Sequence, residues 1–121
     1  MISDCKKVIS ISPKYDHGGA YRMLGEMYTQ LPQTAGRPDS ITRDLDLAEE
    51  YLRKAVRLAP DYPENHLALA EALFRQDKFP QALESLVQTK NLAPHWSGDV
   101  SFDDWRNATS DLERKLARSG E

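Results

Sequence analysis

A chain of 121 residues, 40% hydrophobic and 29% charged, has room for one small domain with a single layered core. Its net charge of −3 argues against nucleic acid, which demands a basic face, and no apolar run approaches the ~18 residues of a membrane span. The single cysteine permits no internal disulfide, and no Cys/His group has the spacing of a zinc site.

The first element is short. Val8, Ile9 and Ile11 before Pro13 predict a helix over residues 3–11, with Cys5 as a half-buried position on it. Met1 to Cys5 carries no apolar leader, so the chain as it stands reads as cytoplasmic, and as periplasmic if a signal has been removed. Asp16-His17-Gly18 forms an entry turn, and a helix over 19–31 follows with Tyr21, Leu24, Gly25 and Tyr28 along one face. Leu31-Pro32-Gln33-Thr34-Ala35-Gly36-Arg37-Pro38-Asp39-Ser40 cannot continue a helix, so residues 31–41 read as an inserted loop.

A helix over 43–58 turns Ala48, Leu52 and Ala55 inward. Its Glu49, Glu50, Arg53 and Lys54 pair at i,i+4 on a solvated face, which makes Glu49 a place where substitution should be near neutral. Pro63 and Pro80 suit the first turns of helices over 63–76 and 80–92, with Asp77-Lys78-Phe79 as the turn between them. The last helix, over 102–118, opens on Ser101-Phe102-Asp103-Asp104, a capping-box variant, with Val100 and Trp105 spaced as a hydrophobic staple. Its apolar stripe is Phe102, Trp105, Thr109, Leu112 and Leu116. The face carrying Asp104, Arg106, Asp111, Glu113, Arg114 and Arg118 suits a terminal cover. The expected core is Leu24, Tyr28, Ala48, Leu52, Ala55, Leu69, Ala70, Leu73, Ala82, Leu86, Trp105 and Leu112.

One recurrence orders these elements. Leu58-Ala59-Pro60 returns as Leu92-Ala93-Pro94, 34 residues on, the period of a helix–turn–helix unit that stacks into a solenoid. Small residues recur with it: Gly25 opposite Ala48, and Ala70 opposite Ala82. Gly25 in mid-helix costs about 1 kcal/mol against alanine, tolerable where a neighbouring backbone must approach closely. Cys5 to Pro13 matches Leu52 to Pro60 in register, as the end of a second helix whose first helix is missing.

This pattern resembles the tetratricopeptide repeat family. With Pro94 at repeat position 32, Ala70 and Ala82 fall at the small positions 8 and 20, and Leu69, Leu73 and Leu86 at the apolar positions 7, 11 and 24. The resemblance implies an all-α, right-handed helix-pair solenoid in one domain over 1–121. It would comprise a partial repeat (1–13), a repeat split by the loop (18–62), a second repeat (63–96) and a C-terminal capping helix (101–118). It implies a non-enzymatic module without cofactor that binds a peptide or protein surface in a concave groove lined by the first helices. At the groove positions stand Gly19, Arg22, Glu26, Thr29 and Gln30, then Glu64, Leu67, Glu71, Phe74 and Arg75. The expected partner-binding set is Arg22, Glu26, Glu64, Leu67, Glu71, Phe74 and Arg75, with Arg37 in the loop offered to a partner carboxylate. His66 takes an aromatic position of the repeat and is expected to be packed and hydrogen-bonded, while His17 and His95 sit in turns. Trp96 and Trp105 pack the last helix, with an aromatic cage as the alternative.

Tyr15 to Leu73 is similar, more narrowly, to bacterial tetratricopeptide T-component proteins of TRAP-type transporters. The likeness rests on Tyr15-Asp16-His17-Gly18-Gly19-Ala20-Tyr21-Arg22-Met23-Leu24-Gly25, the insert ending at Pro38-Asp39-Ser40, and Pro60-Asp61-Tyr62-Pro63-Glu64-Asn65. It implies the alternative function of a transporter accessory that contacts the solute-binding protein. At the other end, Val8, Ile9 and Ile11 lack a covering helix. Either residues precede Met1 in the natural protein, or two copies pair through this face.

Overall fold

The computed structural model describes residues 19–30 and 45–119, and every element among them is helical. Helix α1 spans Gly19–Gln30, α2 Leu45–Leu58, α3 Pro63–Arg75, α4 Phe79–Leu92 and α5 Phe102–Ser119, with a 3-10 turn at Ala93–Trp96. The helix expected over 3–11, the loop 31–41, and Cys5, His17 and Arg37 lie outside the described residues. Helices α1 and α2 pack as one pair and α3 and α4 as the next. Helix α3 also touches α1 and α2, and α5 closes against both α3 and α4. The first helices α1, α3 and α5 therefore stand in a row, the arrangement of a helical-repeat solenoid.

Small residues set the spacing. A Cβ placed on Gly25 would lie 2.7 Å from Leu52 Cδ2, closer still to Leu52 Cγ, and 3.1 Å from the Ala48 carbonyl oxygen. In the second pair, Ala70 and Ala82 are both fully buried. Leu52, Leu69, Leu73 and Ala82 form a cluster joining α2, α3 and α4, and Ala70, Leu86 and Leu112 form a second that ties in α5. All the expected core residues are buried except Tyr28, which is half-buried and stacks on Tyr51 at 6.1 Å. Its ring leaves the core because a tyrosine from the paired helix offers it a flat partner.

The turn between α3 and α4 is closed by its backbone. Lys78 N–H donates to Leu73 O at 3.0 Å and Asp77 N–H to Phe74 O at 3.0 Å, with Asp77 left-handed at φ 62°. These are the two bonds of a Schellman motif, with aspartate where glycine is usual. The start of α5 departs from expectation. Val100 is 98% exposed, so no hydrophobic staple forms. The side-chain bond at this end comes from Asp99, whose carboxylate accepts from Ser101 N–H at 2.8 Å. Trp105 is 2% exposed and packs edge-on against Tyr62 and Trp96, with ring centroids at 5.5 and 6.5 Å. Tyr62 and Trp96 are themselves 5.3 Å apart, so the three rings touch and leave no room for a caged cation.

Glu49 also departs from expectation. Its carboxylate accepts from Arg53 Nε at 2.7 Å, Lys78 Nζ at 2.8 Å and Gln76 Nε2 at 3.0 Å. The pairing within α2 was visible in sequence, whereas the turn after α3 arrives only through packing. Partial burial opposes ionisation, but the hydrogen bonds from Lys78, Arg53 and Gln76 outweigh it and lower the pKa from 4.5 to about 2.

Two predictions follow from this packing. Ala48→Leu and Ala82→Leu should each destabilise by about 1–3 kcal/mol through overpacking, and Gly25→Ala should destabilise despite its better helix propensity. Ala117→Leu, at an exposed site on α5, should be near neutral in the same urea titrations. Equal effects at all four sites would contradict the close approach. For Glu49 the folded-state pKa is depressed, so its stabilisation is complete above pH 4.5 and disappears as pH falls towards 2. Glu49→Gln should lower stability at pH 7 and flatten that acid limb of a stability–pH curve.

Candidate functional site

The row of first helices carries an open cleft of about 290 Å3. Helix α1 contributes Glu26, Thr29 and Gln30; α3 contributes Glu64, Leu67, Ala68 and Glu71; α5 contributes Ala108 and Leu112. Steps of three and four residues on each helix place these side chains on one face. The apolar wall is built by Leu67, Ala68, Ala108 and Leu112, and carboxylates and amides border it.

Four of the seven expected groove residues line this cleft: Glu26, Glu64, Leu67 and Glu71. Arg75 stands at its border, donating from Nε to Glu71 at 3.0 Å and from NH2 to Gln30 Oε1 at 3.3 Å. Phe74 turns inward instead, against both core clusters and against the Phe79 ring at 5.6 Å. Arg37 falls outside the described residues. The contribution of α5 was not expected, because a terminal cover was read as shielding a core rather than shaping a groove. Ala108 lies one step beside the apolar stripe, and only the crossing of α5 over α3 turns it into a wall.

Arg22 is the clearest correction. It is buried rather than presented in the groove. Its Nε meets Glu64 Oε2 at 3.0 Å, its NH1 donates to Asn65 Oδ1 at 3.0 Å, and its guanidinium lies 5.0 Å from the centre of the Tyr62 ring. Asn65 is fully buried and donates from Nδ2 to the carbonyls of Ala55 and Ala59, each at 3.2 Å. These carbonyls also accept from the backbone N–H of Ala59 and Tyr62, so Asn65 adds a second bond to each where α2 ends. His66 beside it is buried with Nε2 2.7 Å from Pro60 O, so that nitrogen carries the proton and donates.

The groove carboxylates are not equivalent. Glu64 is held by Arg22 and Glu71 by Arg75. Among the described residues Glu26 makes no ion pair. Its pKa is raised above 4.5, first by desolvation and then by the neighbouring Glu64 charge, with Arg22 opposing. The side chain retains exposed area, but the concave walls crowd it and displace part of its water shell. A lone carboxylate there is an unmet electrostatic demand.

A row of first helices, each with a partner behind it and a shared cleft in front, defines a helical-repeat protein. Residues 42–98 match the family model described as Tetratricopeptide repeat, which supports the tetratricopeptide reading of the repeat pattern. Tetratricopeptide repeats commonly mediate protein–protein interaction, and the family is typically non-enzymatic. No match was found among curated proteins. No helix among the described residues is long and apolar enough to cross a membrane.

The Arg22 node yields a test of its structural role. Arg22→Met should cost about 2 kcal/mol by leaving Glu64 and the buried Asn65 amide short of a partner. Arg22→Lys should recover less than half of that, since a point-like ammonium lacks the planar fork that serves both acceptors. Urea denaturation at pH 7 measures both, and a neutral Arg22→Met would put the residue back among the groove candidates.

Proposed function

We propose that this protein is a non-catalytic interaction module whose cleft on α1, α3 and α5 takes a segment of a partner protein. The observation that carries this is the apolar wall of Leu67, Ala68, Ala108 and Leu112, bordered by polar and charged groups from α1 and α3. An apolar surface with a polar rim is what a peptide side chain needs for burial, with its backbone left at the edge. The alternative, a TRAP-type transporter accessory, puts the inserted loop against a solute-binding protein. That loop lies outside the described residues, so the cleft is the better-supported site.

The test uses peptides selected from a displayed random library on the full-length protein. Ala108→Trp fills the cleft from a solvent-exposed position, and Leu67→Asp spoils its apolar wall. Both should weaken selected peptides by roughly tenfold or more, about 1.4 kcal/mol. Ala108→Trp should leave helicity and melting near wild type, whereas Leu67→Asp, whose side chain packs on the Ala70, Leu86 and Leu112 cluster, should also lower melting. Selected peptides that bind both variants as tightly as wild type would exclude the cleft as the binding site.

A further inference from the structure

Three observations limit what the cleft accepts. Two of its three carboxylates already have cationic partners, Glu64 with Arg22 and Glu71 with Arg75, whereas Glu26 among the described residues has none. Among the described residues no lysine or arginine lines the cleft. Much of the remaining lining is aliphatic. An anionic segment would meet unbalanced negative charge. A purely apolar one would strip more water from Glu26 and supply no hydrogen bond in return, an unfavourable exchange. Lysine and arginine combine an aliphatic stem with a cationic tip and settle with the stem on apolar surface and the tip in a polar setting.

We propose, building on the cleft as a peptide site, that it selects a partner segment carrying a lysine or arginine side chain. The stem of that residue lies along Leu67, Ala68, Ala108 and Leu112, and its charged head pairs with Glu26. Glu64 adds a second negative field from the neighbouring helix, while the clamp by Arg22 keeps it from swinging into the site. Beside Glu26 on α1, the Thr29 hydroxyl is buried and turned to Gly25 O at 2.7 Å, and Gln30 Oε1 accepts from Arg75.

The experiment takes a library-selected peptide whose binding is weakened by Ala108→Trp. Each basic residue in it is replaced by its neutral isostere, norleucine for lysine or citrulline for arginine. One such replacement should weaken binding to the wild-type protein by about tenfold. The same replacement should change binding to Glu26→Gln by less than twofold, the coupling expected of residues in direct contact. If Glu26→Gln does not fold, the isostere series on the wild-type protein decides alone. Cleft-dependent peptides that lack a basic residue, or that tolerate every isostere, overturn the proposal and leave the cleft as a peptide site. Absence of any peptide sensitive to Ala108→Trp overturns both.

Discussion

A buried amide holds the two helix pairs in register. Asn65 sits at the start of α3 with both ends of its side chain committed, the nitrogen to the last carbonyls of α2 and the oxygen to Arg22 on α1. An unpaired amide in such a place is costly, about 1–3 kcal/mol, so the three helices settle where all of its bonds are made at once. Arg22 extends the constraint through Tyr62 to the rings of Trp96 and Trp105, and so to α5. A displacement of α1 against α3 would break the guanidinium bonds and the cation–π contact together.

The cleft depends on that register. Gly25 against Leu52 and Ala48 brings α1 close to α2, and Ala70 and Ala82 occupy the matching places in the next pair. With the second helices drawn in behind, the first helices present an unshielded row in front. Helix α5 extends this row, so the helix that covers the last core face also supplies one wall of the cleft through Ala108 and Leu112. Capping and groove-building are two faces of one amphipathic helix.

Charge distribution separates support from recognition. Arg22 and Glu49 are both deep in hydrogen-bonded networks that tie helices together, and both looked like surface residues when each helix was taken alone. Glu26 is the reverse, a carboxylate in the concavity whose charge is disfavoured by desolvation and by Glu64, with Arg22 offsetting only part of that. Groups that work against the stability of their own protein are reasonable places to look for contact with something else.

Helix positions, the inward faces and the small-residue pairs were legible in the chain, because a 34-residue recurrence and three-to-four-residue spacing are local properties that survive without coordinates. The five described helices fall within two residues of their expected limits for that reason. Six of the nine residues that line the cleft, Glu26, Thr29, Gln30, Glu64, Leu67 and Glu71, stand at positions that the repeat register assigns to the concave face. Which charges would already be neutralised was not legible. Arg22, Glu49 and Phe74 find partners on elements distant in sequence, and a hydrogen bond spanning 43 residues, such as Arg22 to Asn65, leaves no periodic trace. The tertiary structure alone decided that Arg22 is a strut, that Val100 faces water while Trp105 turns to Tyr62, and that Ala108 walls a cleft. Each of those outcomes rests on where a second helix crosses the first, a distance that pattern along a single chain does not encode.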